Sequence, residues 1–480
     1  MIRRFLKKYH SMSVTVKASL WFTFCSVLAK GMSFLTVPIF TRIMSIEEYG
    51  YVTLYNSWLL AMTAVCTLQA TYGGFYNGMI KFRDDKEGYT SATLSLTVFM
   101  SLAWMLVYLL FRKWLNGVFG LPTYIMVLMF IEIVTKAAFD TWVTRQKYDY
   151  NYRIQTIATL FCTIISAVLG VILVLSMQDK VLGRVLSLVV PYAVISVILC
   201  CSVIRKGKKT VCLQYWKFTL GFCIPLLPHH LSQIILSQSD RLMINHLIGT
   251  ADAALYGFSY NIGALLSIFS QAINTSFIPW LYKRLEKKEF GQISKSANSL
   301  LLLMAGIVVL ATMLAPEAVW ILGGAEYAQA VHVVPPIVAG CFFMFVSSLF
   351  SNAEMYYEKK KIIMAASVTA ALLNLVLNYI FIPLYGYVAA GYTTLVCYLV
   401  MCVTHYAGMK AACKEQKITE QLYDMKAVGL VAAFVMLFSI GASFLYSVTV
   451  VRYIAAAIMF VMAVVRKKEI INAVKGIRKK

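Results

Sequence analysis

Stretches of about 20 consecutive, mainly apolar residues recur along the whole chain, and nothing else in the sequence limits the fold as strongly. A bilayer core is crossed by a helix of about that length, because a helix satisfies its own backbone groups where no water can. Fourteen such spans are expected, at 18–40, 51–72, 91–111, 121–143, 154–176, 182–204, 218–247, 252–280, 296–322, 329–352, 362–383, 386–408, 426–446 and 449–465. The connections between them are too short to hold a soluble domain. Composition agrees: 60% of residues are hydrophobic and 14% charged, against about half and about a quarter in soluble chains. The expected fold class is an all-α integral membrane protein.

A formal charge of +23 over 480 residues invites comparison with nucleic-acid binders. The distribution argues otherwise. Most of the 44 Lys and Arg fall in one alternate set of connections, whereas the other set holds only Arg42, Arg112, Lys113, Lys180, Arg184 and Arg452. That asymmetry is the positive-inside pattern and places both termini in the cytoplasm, with basic loops against anionic membrane lipids. No nucleic-acid partner is expected. The opening "MIRRFLKKYH" is basic, but the apolar run after it is too long for a cleaved signal and lacks a small-residue cleavage site, so an uncleaved first span in the cytoplasmic (inner) membrane is expected. The eleven cysteines contain no C-x-x-C pair and read as small buried hydrophobes; neither a metal nor another cofactor is implied.

The basic segment "RKGKKTVCLQYWK" divides the chain. The expected layout is an amino-terminal lobe of six spans (1–204), this linker (205–217), a second six-span lobe (218–408), and two further spans with a basic tail (409–480). Tyr49-Gly50 and Tyr256-Gly257 occupy similar places after the first and seventh spans, an even number of crossings apart, which suggests a parallel pseudo-repeat with a substrate path between the lobes.

Polar groups in hydrocarbon are costly unless they face protein or water, so their spacing is informative. In the first span Ser19, Thr23, Ser26, Lys30 and Ser33 share one helix face. Lys30 lies about 20 Å beyond Lys17 at the helical rise, too deep for easy snorkelling. In the seventh, His229, Gln233, Ser237, Arg241 and Asn245 follow at steps of four, after Pro225 and Pro228, which should bend the helix. The eighth carries Tyr260, Ser267, Gln271 and Asn274, and the eleventh Ser367, Asn374 and Asn378.

Such stripes serve either as hydrogen-bonding glue between helices or as the wall of a hydrated cavity. The stripes of spans one, seven and eight are long, and two carry a cation with no carboxylate three or four residues away. An unpaired charge is costly in a dry interface, so the cavity reading is preferred there, and glue for span eleven. In the fourth span Glu132, Lys136 and Asp140 stand at i, i+4 and i+8 and can satisfy one another; the alternative is a proton or cation site that titrates during transport. Asp240 and Arg241 point about 100° apart and cannot simply neutralise each other. Arg241 lies on the stripe and is expected to meet an anion, unless it forms a structural ion pair. Asp240 lies off it, and is expected to anchor its helix to a neighbour, balance the field, or take part in ion coupling.

Three stretches, "VPIFTRIMSIEEYGYVTLYNSW", "IPLLPHHLSQIILSQSDRLMINHLIG" and "LYGFSYNIGALLSIFSQAINTSFIPWLYKRL", resemble the polysaccharide-exporter branch of the multidrug/oligosaccharidyl-lipid/polysaccharide exporter superfamily. The shared words are Pro225 and Pro228, Asp240-Arg241, Tyr256-Gly257 and Pro279. The resemblance implies two six-helix lobes and alternating access. It also implies a lipid-linked oligosaccharide substrate, usually on polyprenyl pyrophosphate, moved for O-antigen, capsule or related glycans beside the glycosyltransferases and polymerase of that pathway. Lys30 and Arg241 suit its anionic head, the polar stripes its sugars, and coupling to Na⁺ or H⁺ is open.

Two rivals make other demands on the sequence. A multidrug exporter of the same superfamily favours acidic cavity residues, and the stripes here are basic or neutral. A membrane-embedded polymerase or acyltransferase needs a catalytic constellation, and no carboxylate lies near His229 and His230 in the span to orient either. "RKGKKT" lacks the upstream glycine of a phosphate-binding loop, which argues against an ATP-driven pump.

Overall fold

The computed structural model describes residues 14–418 and 420–465, and all their regular structure is helical. The side chains of Ser19, Thr23, Ser26, Lys30 and Ser33, the whole polar stripe of the first span, lie outside the described residues.

The contacts divide the chain into two compact units, one up to Ile234 and one from Ile235 onward. The first contains α1 (Val14–Ile43), α2 (Ile46–Thr67), α3 (Gly73–Lys81), α4 (Lys86–Leu110), α5 (Arg112–Phe119), α6 (Thr123–Tyr148), α7 (Tyr152–Ser176) and α8 (Lys180–Gly207). The dividing point falls inside α9 (Leu213–Leu247), which is helical through Pro225 and Pro228. The second contains α10 (Thr250–Glu286), α11 (Phe290–Met313), α12 (Ala315–Gly323), a 3₁₀ segment Ala325–Val333, α13 (Val334–Tyr356), α14 (Lys360–Tyr385), α15 (Tyr387–Glu415), α16 (Met425–Leu445) and α17 (Thr449–Val465).

Each expected span falls on helical segments, the last of them on the short α17. Among the described residues, ten helices are long and apolar enough to cross a bilayer by length and composition, eleven if α5 and α6, bent by 86°, form one broken span. The expected second and third spans start about five residues late. α2 begins at Ile46 because Ser45 and Glu48 form a capping box: the Glu48 amide donates to Ser45 Oγ and the Ser45 amide to Glu48 Oε2. Such a cap is worth about 1 kcal/mol and outweighs the polarity of the first turn. The short helices α3 and α5 were hidden in what reads as loop, since eight or nine residues are too few for a periodic apolar signal, and α12 was drawn as the end of the ninth span.

Burial separates helices that face lipid from those that face protein. α7 exposes Ile157, Phe161, Ile164, Val168, Ile172 and Leu175 at steps of three and four, one apolar stripe turned outward. Only 22% of its apolar window is buried, against 89% for the segment Ala325–Tyr356 that contains α13. α13 is therefore the packed centre of the second unit; α11, α14, α15 and α16 all touch it. In the first unit Leu94, Phe139, Trp142 and Val203 knit α4, α6 and α8 together.

Candidate functional site

Asp240 has the most elaborate surroundings of the expected residues. Its side chain is buried (1% exposed), although it sits beside Arg241 in sequence. Asn378 Nδ2 donates to Oδ1 at 2.7 Å and Asn374 Nδ2 at 3.2 Å. Thr394 Oγ1 donates to Oδ2 at 2.8 Å, and the Tyr256 hydroxyl donates to the same oxygen. Behind this shell, Ser239 Oγ donates to Asn374 Oδ1 at 2.6 Å and Thr393 to Asn378 Oδ1. α10, α14 and α15 thus converge on one carboxylate through neutral donors. No Lys, Arg or His lies within ion-pair distance of it among the described residues. The anchoring role expected for Asp240 is what the geometry displays. The eleventh-span stripe is glue as read, and the group it holds is this carboxylate.

Arg241 points elsewhere. Its guanidinium carbon lies 4.2 Å from the centre of the Tyr260 ring, and Nη1 donates to Gln238 Oε1 on its own helix. The group is half-buried, and its buried Nε has no hydrogen-bond partner. No carboxylate forms an ion pair with it among the described residues, so the structural ion-pair alternative is set aside. The cation rests on an aromatic face with donors to spare.

The remaining stripe residues separate. Gln233 and Gln271 are exposed and Ser237 is half-buried. His229 Nδ1 is buried without a partner, and His230 stands edge-on to Tyr72 at 5.0 Å. Asn245 departs from the cavity reading: its Oδ1 accepts from Thr250 Oγ1 at 2.9 Å, fastening the turn between α9 and α10. Asn274 accepts from Asn352 Nδ2 at 2.7 Å, and Ser267 lies 3.8 Å from Cys341 Sγ, so both serve contact with α13. Periodicity marks a polar face correctly but does not say whether a helix or water faces it.

In α6 the expected triad is a pair. Lys136 Nζ lies 2.6 Å from Glu132 Oε1, and the Tyr55 hydroxyl donates to Glu132 Oε2. Asp140 is exposed and outside that pair. A helical side chain leans toward the helix N-terminus, so Lys136 reaches back to Glu132 instead of forward to Asp140. Arg184, counted as a loop cation, lies in the second turn of α8, half-buried, with its guanidinium carbon 4.0 Å from the Phe40 ring centre. Sequence reasoning also missed the buried Glu354–His405 contact at 2.7 Å and the Arg452–Glu317 pair, because partners 51 and 135 residues apart leave no local pattern.

Known proteins can now be set against this geometry. The family model described as polysaccharide biosynthesis protein matches residues 15–285, more than half of the chain. The chain belongs to that family. A second model, MatE, matches residues 225–380 of this family member. Two Haemophilus influenzae proteins are similar to it. "Lsg locus putative protein 1" is 26% identical over 72% of this chain and 86% of its own length, and an "uncharacterized membrane protein" is 25% identical over 72% and 85%. Among solved structures, the lipid II flippase MurJ in an inward closed conformation superposes with a TM-score of 0.70 at 11% identity, covering 94% of this chain and all of that one. An inward-facing multidrug resistance MATE family transporter of the MOP superfamily gives 0.60 at 13%, covering 82% and 96%. At such identities the likeness is one of fold. The family member is a multi-pass membrane protein that shares the fold of those two solved structures.

Proposed function

We propose that the chain is a flippase that carries lipid-linked oligosaccharides from the cytoplasmic to the outer leaflet by alternating access, for O-antigen, capsule or a related surface polysaccharide. The observation that carries this reading is Arg241: a half-buried guanidinium without a carboxylate, laid on Tyr260, in a member of a polysaccharide biosynthesis family. Its planar fork suits the pyrophosphate of a polyprenyl carrier, and Lys30, deep in the first span by sequence, is the second candidate for that head.

Replacing Arg241 or Lys30 with Ala, at normal protein levels, should strand lipid-linked intermediates on the cytoplasmic face and cut export about tenfold or more, the worth of a charge-assisted hydrogen bond. Leaflet-specific labelling of the intermediates checks it, and undiminished export in both variants removes the anion-receiving role.

Asp240 is the ion-coupling candidate that the geometry favours over Glu132, whose charge Lys136 already neutralises. The amide N–H groups of Asn374 and Asn378 and the Thr394 hydroxyl all donate to it, so its charge is held by neutral donors and no cation cancels it among the described residues. Export in vesicles should depend on a Na⁺ or H⁺ gradient in the wild type and lose that dependence in Asp240→Asn. A variant that keeps the full gradient response excludes Asp240 from coupling.

A further inference from the structure

The first unit holds an open-mouthed cavity of about 290 Å³ between α1, α6, α7 and α8. Lys136 and Arg184 line it, with hydroxyls from Thr163, Ser166 and Tyr192, and no carboxylate does among the described residues. The two cations are not equivalent. Lys136 is neutralised by Glu132. Arg184 pairs with no carboxylate among the described residues: Nη1 donates to Ser187 Oγ at 3.0 Å and the Phe40 ring covers one face of the guanidinium. Four further N–H groups of a five-donor fork are left for other acceptors. Ser166 on the same wall is buried, and its hydroxyl has no hydrogen-bond partner.

The site is also built for the guanidinium. A Cβ at Gly170, one turn beyond Ser166 on α7, would stand 2.8 Å from Arg184 Nη1 and 2.8 Å from Phe40 Cζ. Only glycine leaves that space without displacing the fork. An arginine within a spanning helix is costly unless water, a carbonyl or an anion satisfies it. Ligand pockets for drug-sized molecules run from about 300 to 1,000 Å³, so this cavity has room for a small anionic head.

We propose that this cavity is a phosphate-binding site, with Arg184 supplying the unpaired positive charge in a two-pronged contact and Ser166 a hydroxyl donor. It goes beyond the flippase reading, since a phosphate site here requires no particular cargo. The phosphate is either a free ion or the head of a phosphorylated polyprenyl lipid, and the test separates them.

Full-length protein in a phosphate-free maltoside detergent is titrated calorimetrically with inorganic phosphate at constant ionic strength. Polyprenyl monophosphate, with unphosphorylated polyprenol as control, is then added as competitor. Wild type should bind phosphate, and Arg184→Gln should weaken binding about tenfold or more, the worth of one charge-assisted hydrogen bond. Gly170→Ala keeps every charge but pushes the fork aside; it should weaken binding as well, and it decides the matter if Arg184→Gln fails to fold. Displacement by polyprenyl monophosphate but not by polyprenol assigns the site to a lipid head, and no displacement assigns it to the free ion. Wild type that binds neither form, or Gly170→Ala that binds like wild type, overturns the proposal. The flippase reading is judged separately: phosphate binding without export of lipid-linked glycan sinks that reading and leaves this site standing, and export without phosphate binding does the reverse.

Discussion

Two buried carboxylates, one in each unit, answer the same physical problem in opposite ways. Glu132 in the first unit has a lysine one turn away and a tyrosine hydroxyl from α2, so its charge is cancelled on the spot. Asp240 in the second unit is as thoroughly buried, yet it is held by four neutral donors from three other helices. Hydrogen bonds spread a negative charge without removing it, so Asp240, unlike Glu132, keeps its charge with no cation to cancel it among the described residues. Where Glu132 is neutralised, the charge left over nearby is positive, and it belongs to Arg184. Residual charge after local pairing, more than charge itself, is what distinguishes the two units.

That contrast sets the size of three effects. The largest is expected for Asp240→Ala, which strands four buried donors and should destabilise the protein by about 3–5 kcal/mol, as when one partner leaves a buried polar network. Thermal melting in detergent checks it; a variant as stable as wild type would break the view that this nest ties α9 to α10, α14 and α15. Next is Glu132→Gln, expected to cost about 1–3 kcal/mol, because Tyr55 keeps an acceptor while Lys136, partly exposed, loses only its countercharge. Combined with Lys136→Met, the loss should fall short of the sum of the single variants by about 0.5–3 kcal/mol. Strict additivity would mean that the pair is not what neutralises Glu132.

The smallest effect concerns a third carboxylate, outside the long spans. Burial alone would raise the Glu317 carboxyl, but hydrogen bonds from Arg452 and Tyr453 outweigh it and hold it below the ordinary range. A group with a lowered folded pKa adds stability that is complete above its unfolded value, about 4.3, and is lost as pH falls through the lower folded value. The pair is partly exposed, so the loss should stay within about 1 kcal/mol. Melting between pH 6 and pH 3 should show that acid-side step in wild type and not in Glu317→Gln. A step of equal size in the variant assigns it to other carboxylates.

The amino-acid sequence by itself determined that the chain is helical and membrane-embedded, since only an α-helix lets runs of about 20 apolar residues satisfy their backbones in lipid. It also marked Arg241, Asp240, Glu132 and Lys136, because a charge in such a run is conspicuous. The Glu132–Lys136 pair was legible because both partners lie on one helix, within the reach of a local pattern. The partners of Asp240 were not. Asn374, Asn378 and Thr394 stand more than 130 residues away, and spacing along one helix carries no information about which helix lies beside it. For the same reason Asn245 and Asn274, drawn as cavity wall, turned out to face a turn and a neighbouring helix, and Arg184, drawn as a loop residue, lines a cavity. Tertiary packing alone decided which polar groups are spent on one another and which remain free to bind.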